Sequence, residues 1–301
     1  MIKTSFFYQS IKGNTNSSSY IITICSVLLA IGFLGSIPLL IDLKMNGHSA
    51  NLTSTSSLIE TLGKSRFLIH ILFPFVLTFF FLWGGIKFLH QRPFLSLFTA
   101  SNRFRWKRSF SAFSIWGGVM LLMLFLSVFN SDEIVLNFDI EKFIPLFFIS
   151  VLLIPIQTTT EEILFRGYFA QGIHPFVKKG ALTIIITSIC FSLMHAFNPE
   201  VQKLGNTLLI YYFLTGIFLG IITLMDDGLE LAIGYHTANN FFTAILISND
   251  WQAFQTDAIF MDYSEPSFTW DAFATLLIIQ PLMILLFSKM YKWKKWKESL
   301  F

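Results

Sequence analysis

Cysteine and charge are what this sequence has least of. Its 301 residues include two cysteines, and 13% of them are charged. Cys25 and Cys190 both lie in apolar stretches, so neither a disulfide framework nor a CxxC metal site is expected, and both read as small hydrophobes. With 54% hydrophobic residues and so few charges, a soluble domain with a polar shell is excluded. A net charge of +3, divided among loops, leaves no basic surface for nucleic acid. There is no internal repeat, no low-complexity tract beyond an Asn/Ser patch at 14–19, and no linker that would separate domains. A single membrane domain over 1–301 is expected. It divides into N-terminal helices (1–142), a core rich in polar motifs (143–248), and an outer loop with the last helix and a basic tail (249–301).

What the sequence has in abundance is long apolar runs and 36 phenylalanines, as suits helices whose whole circumference meets lipid. A membrane-crossing helix needs roughly 20 mostly apolar residues. Stretches near 20–41, 67–89, 110–129, 180–197, 206–225, 229–248 and 270–290 meet or approach that length. The first follows a polar run, so it reads as a membrane helix rather than a cleaved signal. An eighth is less clean: apolar residues at 143–156 run into Gln157, Thr158, Thr159, Thr160, Glu161 and Glu162 before apolar periodicity resumes at Ile163. It reads as one long helix with a bend near Pro155.

Loop charges agree with that count. Lysine and arginine favour the cytoplasmic side. Lys3 and Lys12, then Arg92, Arg103, Arg105, Lys107 and Arg108, then Lys178 and Lys179, and finally Lys289, Lys292, Lys294, Lys295 and Lys297 all fall on one face. Asp132, Glu133, Asp139, Glu141, Asp250, Asp257, Asp262 and Glu265 fall on the other. The expectation is an all-α, multi-pass protein of the cell membrane with about eight spans and both termini cytoplasmic. Only the 226–230 loop is acidic on the basic side. The loops at 42–66 and 249–269 are long enough for short interfacial helices, which the sequence does not decide.

Ionisable groups inside a membrane cost roughly 2.5–3.5 kcal/mol each on insertion scales, so they ask for a reason. The densest set is EEILFR. Glu162 and Arg166 are four apart, share a helix face and can pair, whereas Glu161 points about 100° away and needs another partner. In FSLMH, Phe191 and His195 share a face, and in HTANN His236 and Asn240 do the same. Spacing alone also fits an ion pair that locks helices together and histidines that hydrogen-bond in helix packing. Depth favours a shared site. Glu161 lies 17 residues before Lys178 and His195 lies 16 after Lys179, which places the two at similar depth in a helix hairpin. His236, only six residues after Glu230, should sit nearer the basic face unless its loop dips into the membrane. A carboxylate, two imidazoles and an amide around one cavity suit amide hydrolysis. Glu161 and His195 could activate water, and His236 with Asn240 could hold an oxyanion.

Together these motifs resemble the CAAX protease and bacteriocin-processing family, the intramembrane glutamic endopeptidases that include the Ras-converting enzyme. EEILFR is similar to the family's EExxxR, FSLMH to FxxxH and HTANN to HxxxN, in the same order over residues 161–240. The resemblance implies an eight-helix fold and peptidase activity on a membrane-associated, sometimes lipidated, peptide. It implies Glu161, His195, His236 and Asn240 as catalytic residues and Glu162, Arg166 and Phe191 in support. It also implies no metal and no cofactor, in keeping with the absence of HExxH. Two other readings stand beside it: a proton- or cation-coupled transporter using Glu161, His195 and His236, and a catalytically silent bacteriocin-immunity membrane protein. The sequence names neither substrate nor oligomeric state.

Overall fold

A computed structural model describes residues 5–47, 54–267, 270–294 and 296–301. Lys3, Lys295 and the 48–53 part of the 42–66 loop lie outside them. The chain is nearly all helix. A buried 3-10 turn, Phe6–Lys12, precedes α1 (Ser17–Gly32), which continues through a short 3-10 link into α2 (Ile37–Met45). Then come α3 (Thr55–Leu62), α4 (Lys64–Gly84, with a π turn to Leu89) and α5 (Trp106–Asn130). The central element runs unbroken from α6 (Ile140–Glu162) through a π turn (Ile163–Phe169) into α7 (Ala170–Val177). After it follow α8 (Gly180–Met194), α9 (Pro199–Leu204), α10 (Thr207–Asp226) and α11 (Glu230–Leu246). The chain ends in α12 (Trp270–Ala274), a π turn, α13 (Gln280–Tyr291) and α14 (Trp296–Leu300).

Among the described residues six helices are long and apolar enough to cross a membrane: Ser17–Met45, Lys64–Leu89, Trp106–Asn130, Ile140–Val177, Thr207–Asp226 and Ala272–Tyr291. The chain is a multi-pass membrane protein. The two other segments expected to cross are shorter. Gly180–Met194 is apolar but has 15 residues, and Glu230–Leu246 has 17 and carries the polar HTANN motif. Glu230–Leu246 is buried by other helices along most of its length, whereas Gly180–Met194 packs one face on α10 and leaves Leu182, Ile185, Ile189 and Leu193 exposed on the other. Gly216 and Gly220 let α10 approach α8 closely, since a Cβ at either would run into Ser188 or Ile184.

The central helix stays helical through both Pro145 and Pro155. Its departure from α geometry comes later, at the π turn. The 249–269 loop holds no helix among its described residues. There Phe260–Asp262 (β3) lies antiparallel to Ile134–Leu136 (β1) and parallel to Ile247–Ser248 (β2), forming a three-stranded sheet in the order β1-β3-β2. The sheet ties the acidic loops together at one end. At the other end the basic loops meet: the N-terminal turn bonds to the 226–230 loop through Phe6 N and Asp227 Oδ1, 3.0 Å apart, and Leu229 N donates to Phe98 O at 2.7 Å.

Candidate active site

Glu161 and Glu162 stand where α6 gives way to the π turn, a wide turn with i→i+5 bonding that recurs at functional sites. Glu162 is fully buried, and its Oε1 accepts from Arg166 NH1 at 3.0 Å and from His236 Nδ1 at 2.8 Å. Arg166, also fully buried, lies 4.1 Å from the centre of the Phe191 ring. A carboxylate and an aromatic face therefore offset one buried cation.

Glu161 has different surroundings. Its Oε1 accepts from Gln157 Nε2 at 2.5 Å, one helical turn earlier. Its Oε2 has no hydrogen-bond partner among the described residues, and the His236 Nε2 beside it is 3.8 Å away. That oxygen belongs to a residue lining a cavity of about 880 Å3 shared with His195, His236 and Asn240.

Asn240 enters through a directed chain of hydrogen bonds. Trp116 Nε1 donates to Asn239 Oδ1 (3.2 Å), Asn239 Nδ2 to Asn240 Oδ1 (3.1 Å), Asn240 Nδ2 to Gln157 Oε1 (3.0 Å), and Gln157 to Glu161. Three helices, α5, α11 and α6, are thus joined at one carboxylate. Asn239, Asn240 and Gln157 each accept one bond and donate the next, so the bonds polarise one another. Thr158 and Thr237 add a second α6–α11 bond of 2.7 Å.

His195 caps the C-terminal end of α8. Its Nδ1 lies 2.8 Å from Phe191 O, and a carbonyl only accepts, so the proton sits on Nδ1 and Nε2 keeps its lone pair. Tyr212 stacks on the ring at 4.1 Å and donates to Glu200 Oε1 at 2.8 Å. Glu161 and His195 share the cavity without a direct hydrogen bond; the imidazole nearest both glutamates is His236.

The depth of His236 follows from its loop. The 226–230 turn lies inside the body, with Asp226 and Glu230 buried. Arg105 grips Glu230 at 2.5 Å and Asp226 at 3.1 Å, and Arg108 pairs with Asp226. The acidic residues on the basic side are therefore the counter-charges of two arginines, and they let α11 begin deep. Gly234 lets it lie close, because a Cβ there would strike the Ser109 backbone of α5.

Gln157, Asn239 and Trp116 were not singled out by the motif spacing. A signal existed only for Gln157, a polar residue at i−4 from Glu161. Among the described residues no group of three or more His, Cys, Asp or Glu side chains could hold a metal ion.

Comparison with known proteins finds a likeness over the same region. Residues 140–242 match the family model described as type II CAAX prenyl endopeptidase Rce1-like. An uncharacterized protein, YyaK of Bacillus subtilis (strain 168), is 25% identical over 214 residues, covering 70% of this chain and 71% of its own. No solved structure matches. The family match supports a CAAX-type intramembrane peptidase at the family level. With the two glutamates, the arginine and His236 assembled inside the matched region, residues 140–242 of this multi-pass membrane protein are similar to an Rce1-like domain.

Proposed function

We propose that this chain is a glutamate-dependent intramembrane endopeptidase that needs no metal and hydrolyses a peptide bond of a membrane-associated substrate. The observation that carries the reading is the contrast between the two neighbouring glutamates. Glu162 is committed to Arg166 and His236, while Glu161 keeps one oxygen unbonded in a residue that lines the cavity. A carboxylate so placed can accept a proton from water as the water attacks the scissile carbonyl. The same proton then passes to the leaving nitrogen, and Glu161 ends as it began.

His195 supports this step, because its Nε2 lone pair can accept the water's hydrogen bond. Asn240 has a second amide hydrogen beyond the one given to Gln157, and His236 in its imidazolium form can donate from Nε2. Those two donors flank Glu161 and suit the oxyanion of the tetrahedral intermediate. Glu162 accepts from His236 Nδ1 and so fixes the orientation of the ring that carries Nε2. The site sits within a lipid-embedded body, which suits a substrate held in or on the bilayer.

The test is cleavage by detergent-purified protein of a peptide library with lipidated and plain members. Glu161→Gln and His195→Ala are expected to lower kcat by at least a hundredfold with KM changed little, and cleavage is expected to persist in strong chelator. Full activity in Glu161→Gln would sink the mechanism, and loss in chelator with recovery on added zinc would replace it with a metal-dependent one.

A further inference from the structure

The cavity around Glu161 is one-sided. α4 begins at the acidic-loop end and α5 finishes there, and the cavity takes Phe67 from the first turn of one and Ser127 from the last turn of the other. Ile134 and Asp262 bring in the small sheet, and Gln252 the loop beside it. No described residue of 5–30, 79–115, 166–190, 220–234 or 276–301 lines the cavity, and those stretches hold every basic loop.

The basic-loop end is closed by packing. Phe6, Phe7, Leu97 and Leu229 are buried beneath the site, together with Tyr168 and Arg166. Phe6 N bonds Asp227, Ala100 N donates to Asp227 O at 3.0 Å, and Arg105 bridges Asp226 and Glu230. Opening that end would break apolar packing and buried ion pairs together. The cavity's charge is one-sided too: its lining includes the carboxylates of Glu161, Glu200 and Asp262 and, among the described residues, no lysine or arginine.

We propose that the substrate reaches Glu161 from the acidic-loop face, as an apolar peptide segment carrying neutral or basic side chains. This rests on the peptidase reading given above. By the loop-charge rule that face is extracytoplasmic. An acidic segment, or a free carboxylate terminus close to the scissile bond, would enter the cavity with no lysine or arginine to receive it.

Two measurements test the proposal. A cysteine-free parent (Cys25→Ser, Cys190→Ser) carrying either Thr215→Cys, within the cavity, or Lys178→Cys, on the basic loop, is treated with a membrane-impermeant maleimide in sealed vesicles of both orientations. Thr215→Cys is expected to react only in the orientation in which Lys178→Cys does not. Reaction of both in the same orientation would overturn the entry side. In detergent, peptides with lysine flanking the cleaved bond are expected to show at least tenfold higher kcat/KM than peptides with glutamate there. Equal or reversed preference, or no cleavage of either, would overturn the substrate assignment. Cleavage that survives Glu161→Gln would instead sink the Glu161-dependent mechanism on which the proposal rests, with the labelling result intact.

Discussion

Glu161 and Glu162 are neighbours in sequence and strangers in environment. The buried arginine and histidine that hold Glu162 make it a structural charge, and removing one partner leaves the other unpaired in an apolar interior. Arg166→Met is therefore expected to destabilise the protein by about 3–5 kcal/mol, read as a fall in apparent Tm in detergent. Adding Glu162→Gln should recover part of the loss, because the stranded charge goes with it. No recovery in the double variant would mean that Arg166 acts through packing alone. Gln157 calls for a different experiment. It contributes one hydrogen bond to Glu161 and accepts one from Asn240, so Gln157→Leu should lower kcat at least tenfold, about 1.4 kcal/mol in the barrier, with little change in Tm. An unchanged kcat would show that the amide chain does not orient Glu161. The Glu162–Arg166 pair was legible from its spacing of four. The amide chain was not, since Trp116 and Asn239 belong to helices whose approach no local pattern encodes.

At the scale of elements, the position of α11 decides the site. Its first residue, Glu230, is charged, and charge at the start of a short helix would ordinarily mark a membrane surface. Arg105 and Arg108 neutralise that end, so the helix starts deep and His236 comes level with the glutamates. Gly234 sets the distance to α5. Gly234→Val would push α11 away from Ser109, and overpacking of this kind typically costs about 1–3 kcal/mol. The expected outcome is a lower apparent Tm together with a loss of kcat, since Asn240 and Asn239 move away from Gln157 and Trp116. A Tm loss without a change in kcat per folded molecule would show that α5 merely supports α11. The long central helix was readable from its apolar period, but its π turn was not. Proline marked a bend at Pro155, yet flanking helices and Thr158, whose hydroxyl donates to Ile154 O, keep the segment helical there.

For the molecule as a whole, the basic end works as a seal. His90 is part of it, with Nδ1 bonded to Asn14 O at 2.7 Å and Nε2 2.9 Å from the Tyr168 hydroxyl. Burial pulls the His90 pKa below the ordinary imidazole value; the bond to Asn14 opposes this and nearby Arg92 adds to it. The folded protein therefore resists a proton that the unfolded chain accepts. Stability is complete above about pH 6.5, the unfolded value, and falls as pH drops from there toward the lower folded pKa. The apparent Tm is expected to decline on acidification below that point, and His90→Gln should flatten the decline. An identical pH profile in the variant would move the effect to another group.

The sequence by itself determined that the chain lives in lipid, that its helices alternate between a basic and an acidic face, and that two glutamates, an arginine, two histidines and an asparagine lie within its apolar segments. These follow from composition and from periods of three to four residues, which are local properties. Only the tertiary structure decided which histidine stands beside the glutamates, that Gln157 joins Glu161 to Asn240, and that the cavity opens at one end. Each of those depends on how far one helix slides along another. That offset is set by close contacts between residues such as Gly234 and Ser109 and by buried pairs such as Arg105 and Glu230, which lie over a hundred positions apart in the chain.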